Sequence, residues 1–104
     1  MTLEAFHALI ASLDLPVVYG YYRSEQKPPY IAYASTMRNV IHADGIVIYA
    51  EEWIELHLIT VRRDLSAERA VEALLNANQI AFDSPDLAFD EKQGIHEAIY
   101  YFQL

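Results

Sequence analysis

The sequence has no cysteine among its 104 residues, and it has little glycine, proline or positive charge. Without cysteine, the chain can form neither a disulfide nor a thiolate metal site. Only 7 lysines and arginines stand against 15 aspartates and glutamates, which gives a formal net charge of −8. Because binding to phosphates depends on lysine and arginine displacing counterions, this composition argues against a direct grip on nucleic acid.

Long apolar runs are also missing from the chain. No run approaches the ~20 residues that a membrane span needs. The N-terminus, Met1-Thr2-Leu3-Glu4-Ala5-Phe6, lacks the basic start and the apolar core of a signal peptide. The sequence therefore predicts no membrane partner.

What the chain has in excess is apolar and aromatic surface. Hydrophobic residues make up 54% of the sequence, and eight of them are tyrosines. The length favours a single domain spanning residues 1–104, and a domain of this size cannot hide every apolar group inside itself. The composition therefore indicates self-association.

Two segments carry helical periodicity. Thr2 is suited to cap a helix over Leu3–Leu13, in which apolar residues recur every three or four positions. A second helix is predicted over Ser66–Asn76, with Ser66 as its cap and Asn78 as its stop.

The other apolar segments predict strands. The Asp44-Gly45 pair supplies the positive φ angles of a tight hairpin turn, and the arms of this hairpin are Met37–His42 and Ile46–Ala50. The remaining predicted strands or short extended pieces are Val17–Tyr22, Tyr30–Ser35, a continuation through Trp53 to Val61, Ile80–Phe82, Leu87–Phe89 and Ile95–Phe102. The element order α-β-β-β-β-α-β-β favours an α+β fold, with a mostly antiparallel sheet of four to six strands and both helices on one face.

The histidines are the strongest candidates for chemistry. His57 and His96 lie on separate predicted strands, beside Glu55 and Glu97, so pairing of these strands would gather a histidine–carboxylate cluster. The alternative is an ordinary cross-strand polar patch. No nucleophile elbow, phosphate-binding loop or zinc motif is present. The sequence therefore predicts no catalytic, metal-binding or cofactor-binding residues, and no enzyme.

An ordered set of segments resembles a family of phage and prophage proteins. The segments are Leu15–Gly20, Lys27–Tyr33, Ala43–Tyr49, Glu55–Thr60, the second helix with Glu68, Val71, Glu72 and Leu75, and Glu97–Phe102. In this order they are similar to the tail-completion, tail-terminator or minor capsid proteins of long-tailed phages, and the resemblance covers most of the chain.

The resemblance implies a structural virion protein. Members of this family are similar in topology to tail terminators, which form hexameric rings at the head-proximal end of the tail, end the tube there and face the head connector. The expected partners are therefore further copies of the chain and the tail-tube and head-connector proteins. The expected location is the tail or neck of the virion, and the bacterial host cytoplasm before assembly.

Two surfaces are assigned to this assembly. The hairpin is too long and too apolar to stand free in water, so its side chains are expected at a subunit or partner interface; they are Val40, Ile41, Ile46, Ile48 and Tyr49. Glu51 and Glu52, the most exposed acidic candidates, are expected to line a lumen that repels DNA. The alternatives to a virion protein are a small enzyme or metal-binding domain that uses His57 and His96 with glutamates, and a small regulatory binding module.

Overall fold

The chain is an α+β domain, as predicted. The computed structural model describes residues 1–20 and 24–104, and within the strands it leaves out the side chains of Met37, Ile48, Tyr49 and Ala50. The elements are α1 (Leu3–Ala11), β1 (Val17–Tyr19), β2 (Tyr30–Ala43), β3 (Ile46–Thr60), α2 (Leu65–Ala77), β4 (Asp86–Asp90) and β5 (Ile95–Gln103).

The strands form one sheet in the order β1-β2-β3-β5-β4. β1 runs parallel to β2, whereas the pairs β2–β3, β3–β5 and β4–β5 are antiparallel. The sheet is therefore mixed, and only its short first edge strand departs from the expected antiparallel arrangement. A parallel pair cannot be joined by a tight turn, and the segment between Tyr19 and Tyr30 is long enough for the chain to return to the same end of the sheet.

The predicted element order contained one strand too many before the second helix. Tyr30–Ser35 and Met37–His42 belong to one continuous strand, β2, whose register against β3 shifts between Ser35 and Met37. An irregularity of this kind lets a strand continue through an unpaired residue. Ile80–Phe82 is not a strand, since only Phe82 bridges to Phe102. Residues 21 and 22 of the predicted first strand lie outside the described residues.

The helix ends follow the capping chemistry closely. The Thr2 side chain accepts a hydrogen bond from the Ala5 N–H at 3.1 Å, as predicted, and α1 ends at Ala11 rather than Leu13. The cap of α2 is Asp64 and not Ser66, because the Asp64 carboxylate accepts from the Ala67 N–H at 3.0 Å. A carboxylate at this position also interacts favourably with the helix dipole. Asn78 caps the C-terminus of α2, as predicted.

Both helices pack on the same face of the sheet. The core is one cluster that contains Phe6 and Ile10 of α1, Val71 and Leu75 of α2, and alternate strand residues that include Ile54, Leu56 and Leu58 of β3 and Ala98, Tyr100 and Phe102 of β5. Since successive strand residues point to opposite faces, this surface is the helix face. The opposite surface, which carries Glu55, His57 and Glu97, is the open face.

The largest fully buried side chain among the described residues, Tyr100, anchors α2 to the sheet. Its hydroxyl donates a hydrogen bond to Oε2 of Glu72 at 2.8 Å, and its ring meets that of Phe82 edge to face. Burial is the main cause that raises the pKa of Tyr100 well above its usual value, and the hydrogen bond to Glu72 and the charge of that carboxylate raise it further. The phenol therefore stays neutral and holds α2 in place.

Candidate functional site

A two-stranded arm, residues 37–52, projects beyond the rest of the sheet. β5 pairs with β3 only over Trp53–Thr60. The part of β3 that precedes Trp53 therefore pairs only with β2 among the described strands. The arm gives the domain an elongated shape, with extents of 52 × 29 × 23 Å. Asp44 and Gly45, with φ angles of 53° and 77°, form the predicted two-residue turn at its tip.

The arm carries the largest concentration of exposed apolar side chains in the described part of the protein. Their exposed fractions are 43% for Val40, 50% for Ile41, 66% for Ile46 and 60% for Val47. The side chains of Ile48 and Tyr49, which were also predicted to lie at an interface, are outside the described residues. The described side chains that were predicted to lie at an interface, Val40, Ile41 and Ile46, are thus all on one projecting element and outside the monomer core.

Glu51 and Glu52 lie at the base of the arm, on opposite faces. Glu52 Oε1 is 3.4 Å from Arg38 Nε, and its other oxygen accepts from the Ser35 hydroxyl. Glu51 Oε2 accepts from Asn39 Nδ2 and from Trp53 Nε1, both at 3.4 Å. Both residues are half-buried, so the expectation that they are the most exposed acidic residues is wrong.

The positions of the two glutamates on opposite faces also limit what they can do in an assembly. Because neighbouring strand residues point to opposite faces, a lumen bordered by one face of this sheet could receive only one of the two side chains. Their hydrogen bonds brace the point where the arm leaves the sheet.

His57 occupies the centre of the open face between two carboxylates. Its Nδ1 is 2.8 Å from Glu97 Oε1, and its Nε2 is 2.7 Å from Glu55 Oε1. Ionised carboxylates only accept hydrogen bonds, so a fully bonded arrangement needs a proton on both ring nitrogens or on one carboxyl group. The predicted partners of His57 are therefore present, and they form a cross-strand polar patch.

His96 does not join this patch. It alternates with Glu97 along β5 and is buried on the helix face, with 8% of its surface exposed, whereas His57 lies on the open face. The two histidines that the alternative hypothesis brings together are thus separated by the sheet. Within the described ranges, no group of three histidine, aspartate or glutamate side chains could hold a metal ion.

A cavity of about 560 Å³ lies beside the patch. The segment before β2 forms one wall with Lys27 and Pro28, and the sheet forms the floor with Tyr30, His57 and Glu97. This cavity could not be predicted from the sequence, because a loop that folds over a sheet leaves no periodic pattern. Two sheet residues that line the cavity, His57 and Glu97, are already bonded to each other.

The outer strand β4 is a second exposed element, and the sequence predicted it only weakly. All five of its residues are exposed, including Leu87 at 45% and Phe89 at 59%. The sequence indicated only a weak apolar piece at Leu87–Phe89, because its flanking aspartates resemble turn residues. The structure places this piece at an edge of the sheet.

No family model matches this chain, and no curated protein is significantly similar to it. The resemblance to phage tail proteins therefore stays an expectation from the quoted segments. No helix in the described part of the chain is long and apolar enough to cross a membrane.

Proposed function

We propose that this chain is a structural virion protein of a long-tailed phage or prophage. Copies of it form a ring, six in number by the family resemblance, at the head-proximal end of the tail. The ring ends the tail tube or joins it to the head connector. The observation that carries the proposal is the projecting apolar arm.

The arm supports an assembly role because its exposed side chains gain free energy only when another surface covers them. Fully burying a valine or isoleucine side chain contributes about 1.5–3 kcal/mol. Four such side chains, Val40, Ile41, Ile46 and Val47, are 43–66% exposed. An isolated two-stranded hairpin is marginally stable in water, so a long apolar arm is best explained by a partner that receives it.

The charge of the chain supports the same role. Six copies of a chain with a net charge of −8 carry a formal charge of −48, and such a field repels phosphate at short range while salt screens it beyond about 8–10 Å. A ring through which DNA passes benefits from repulsion, because it must not hold the DNA. An acidic surface that only keeps the protein soluble is the competing explanation.

Light scattering between micromolar and millimolar concentrations tests the oligomer. We expect the mass of six 11.9 kDa subunits, reached at the upper end of this range if assembly is weak. A stable closed dimer would contradict the ring, because two copies that cover each other's arms leave no surface for further subunits.

A further inference from the structure

β4 has one side without a neighbouring strand among the described elements. β5 pairs with it on the other side over Asp86–Asp90. An edge strand offers unpaired N–H and C=O groups to another chain, and exposed apolar side chains such as Leu87 and Phe89 strengthen that tendency. The β4 edge is therefore suited to accept a strand.

Along the arm, β2 also has one side without a neighbouring strand among the described elements. β1 covers β2 only from Ile31 to Tyr33, and from Arg38 to Ala43 no described strand lies on the side of β2 away from β3. We propose that β4 of one copy pairs with this Arg38–Ala43 edge of a second copy. This inference rests on the proposed ring, for which it supplies the contact between subunits.

Charge favours this pairing over a symmetric one. β2 contains no aspartate or glutamate in its 14 residues, although the chain has 15 such residues, whereas β4 begins with Asp86 and ends with Asp90. Two β4 strands paired antiparallel about Ala88 would set Asp86 of each copy opposite Asp90 of the other, and like charges directly opposite are destabilising. Pairing with the acid-free strand avoids this repulsion.

Strand direction and side-chain alternation fit as well. Three successive antiparallel pairs make β4 antiparallel to β2 within one subunit. A second copy in the same orientation therefore presents its β2 antiparallel to β4 of the first copy. The register places Leu87, Phe89 and Val40 on the helix face, and Ala88, Asn39 and Ile41 on the open face. Apolar side chains of the two strands then meet on the helix face. Two different surfaces meeting head to tail generate a ring when the rotation closes.

The absence of cysteine permits a direct test by disulfide cross-linking. An Ala88→Cys protein is mixed in turn with Asn39→Cys, Val40→Cys and Ile41→Cys proteins under mild oxidation. We expect mixed disulfides with Asn39→Cys or Ile41→Cys at a yield about 5-fold or more above that with Val40→Cys, because only side chains on one face come within disulfide reach. Val61→Cys, whose side chain is exposed and lies outside both edges, is the matched control and should give no mixed product.

The outcomes separate this contact from the ring itself. Hexamers in which Ala88→Cys forms no disulfide with Asn39→Cys or Ile41→Cys overturn the proposed contact and leave the ring intact. Disulfides only between two Ala88→Cys chains, or only between two Asn39→Cys chains, overturn it in favour of a symmetric dimer. A protein that stays monomeric at millimolar concentration and gives no cross-link overturns both the contact and the ring.

Discussion

Replacing Ile41 and Ile46 together by threonine is expected to abolish assembly while the monomer stays folded. Both side chains are at least half exposed on the arm, so each gains its free energy of burial only in the assembly. Losing about 1–2 kcal/mol for each of the two side chains at every contact weakens association by roughly 30- to 700-fold. Threonine keeps the β-branched side chain that strands favour, so the free energy of unfolding should change by about 0.5 kcal/mol or less per site.

Two measurements on the same samples check this prediction. Light scattering gives the mass of the assembly, and urea denaturation of the dilute monomer gives the free energy of unfolding. Val61→Thr, at a site that is 61% exposed and lies outside the arm, serves as the control and should match the wild type in both. If the double variant unfolds without a separate loss of assembly, the arm belongs to the monomer core and the assignment is wrong.

Removing the Tyr100 side chain is expected to cause the largest loss of monomer stability. Truncation of a fully buried aromatic residue to alanine costs about 3–5 kcal/mol, and Tyr100 is 0% exposed. Tyr100→Phe keeps the ring and removes only the hydrogen bond to Glu72, so it should cost about 1–2 kcal/mol. Tyr101→Phe, at an exposed neighbouring site, is the control and should change little.

The raised pKa of Tyr100 gives this series a pH dependence with a defined sign. Below about pH 10, the ordinary tyrosine pKa, the phenol is neutral in both states and its contribution is fully present. Above that pH the unfolded state ionises first, so the contribution falls as pH rises toward the folded-state value. The stability difference between wild type and Tyr100→Phe should therefore shrink above pH 10; a constant difference would contradict the buried neutral phenol.

Local chemistry was enough to predict the helices and the hairpin. Thr2 capped α1 because its hydroxyl reaches the first free N–H groups, and Asp44-Gly45 turned the chain because both residues take positive φ. Ser66 was predicted as the cap of α2 because serine caps helices well, but aspartate caps them equally well, and Asp64 is the residue that does so.

The long-range features were harder to predict. The position of His57 between Glu55 and Glu97 depends on the β3–β5 register, in which His57 lies opposite Ile99. A one-residue slip of that register would have moved Glu97 to the other face. The same alternation separates His96 from His57. The exposure of β4 depends on which strand ends the sheet, and no pattern within five residues determines that order.

The proposed role is tested most directly by electron microscopy of tail tubes from the phage or prophage that encodes this chain. Tubes are mixed with the protein carrying a gold label on a single cysteine introduced at Val61, away from both proposed edges. We expect label at one end of each tube, no further elongation from that end when tube subunits are added, and loss of both effects with the Ile41→Thr, Ile46→Thr double variant. Label along the tube walls, or continued elongation from labelled ends, would contradict the proposed role.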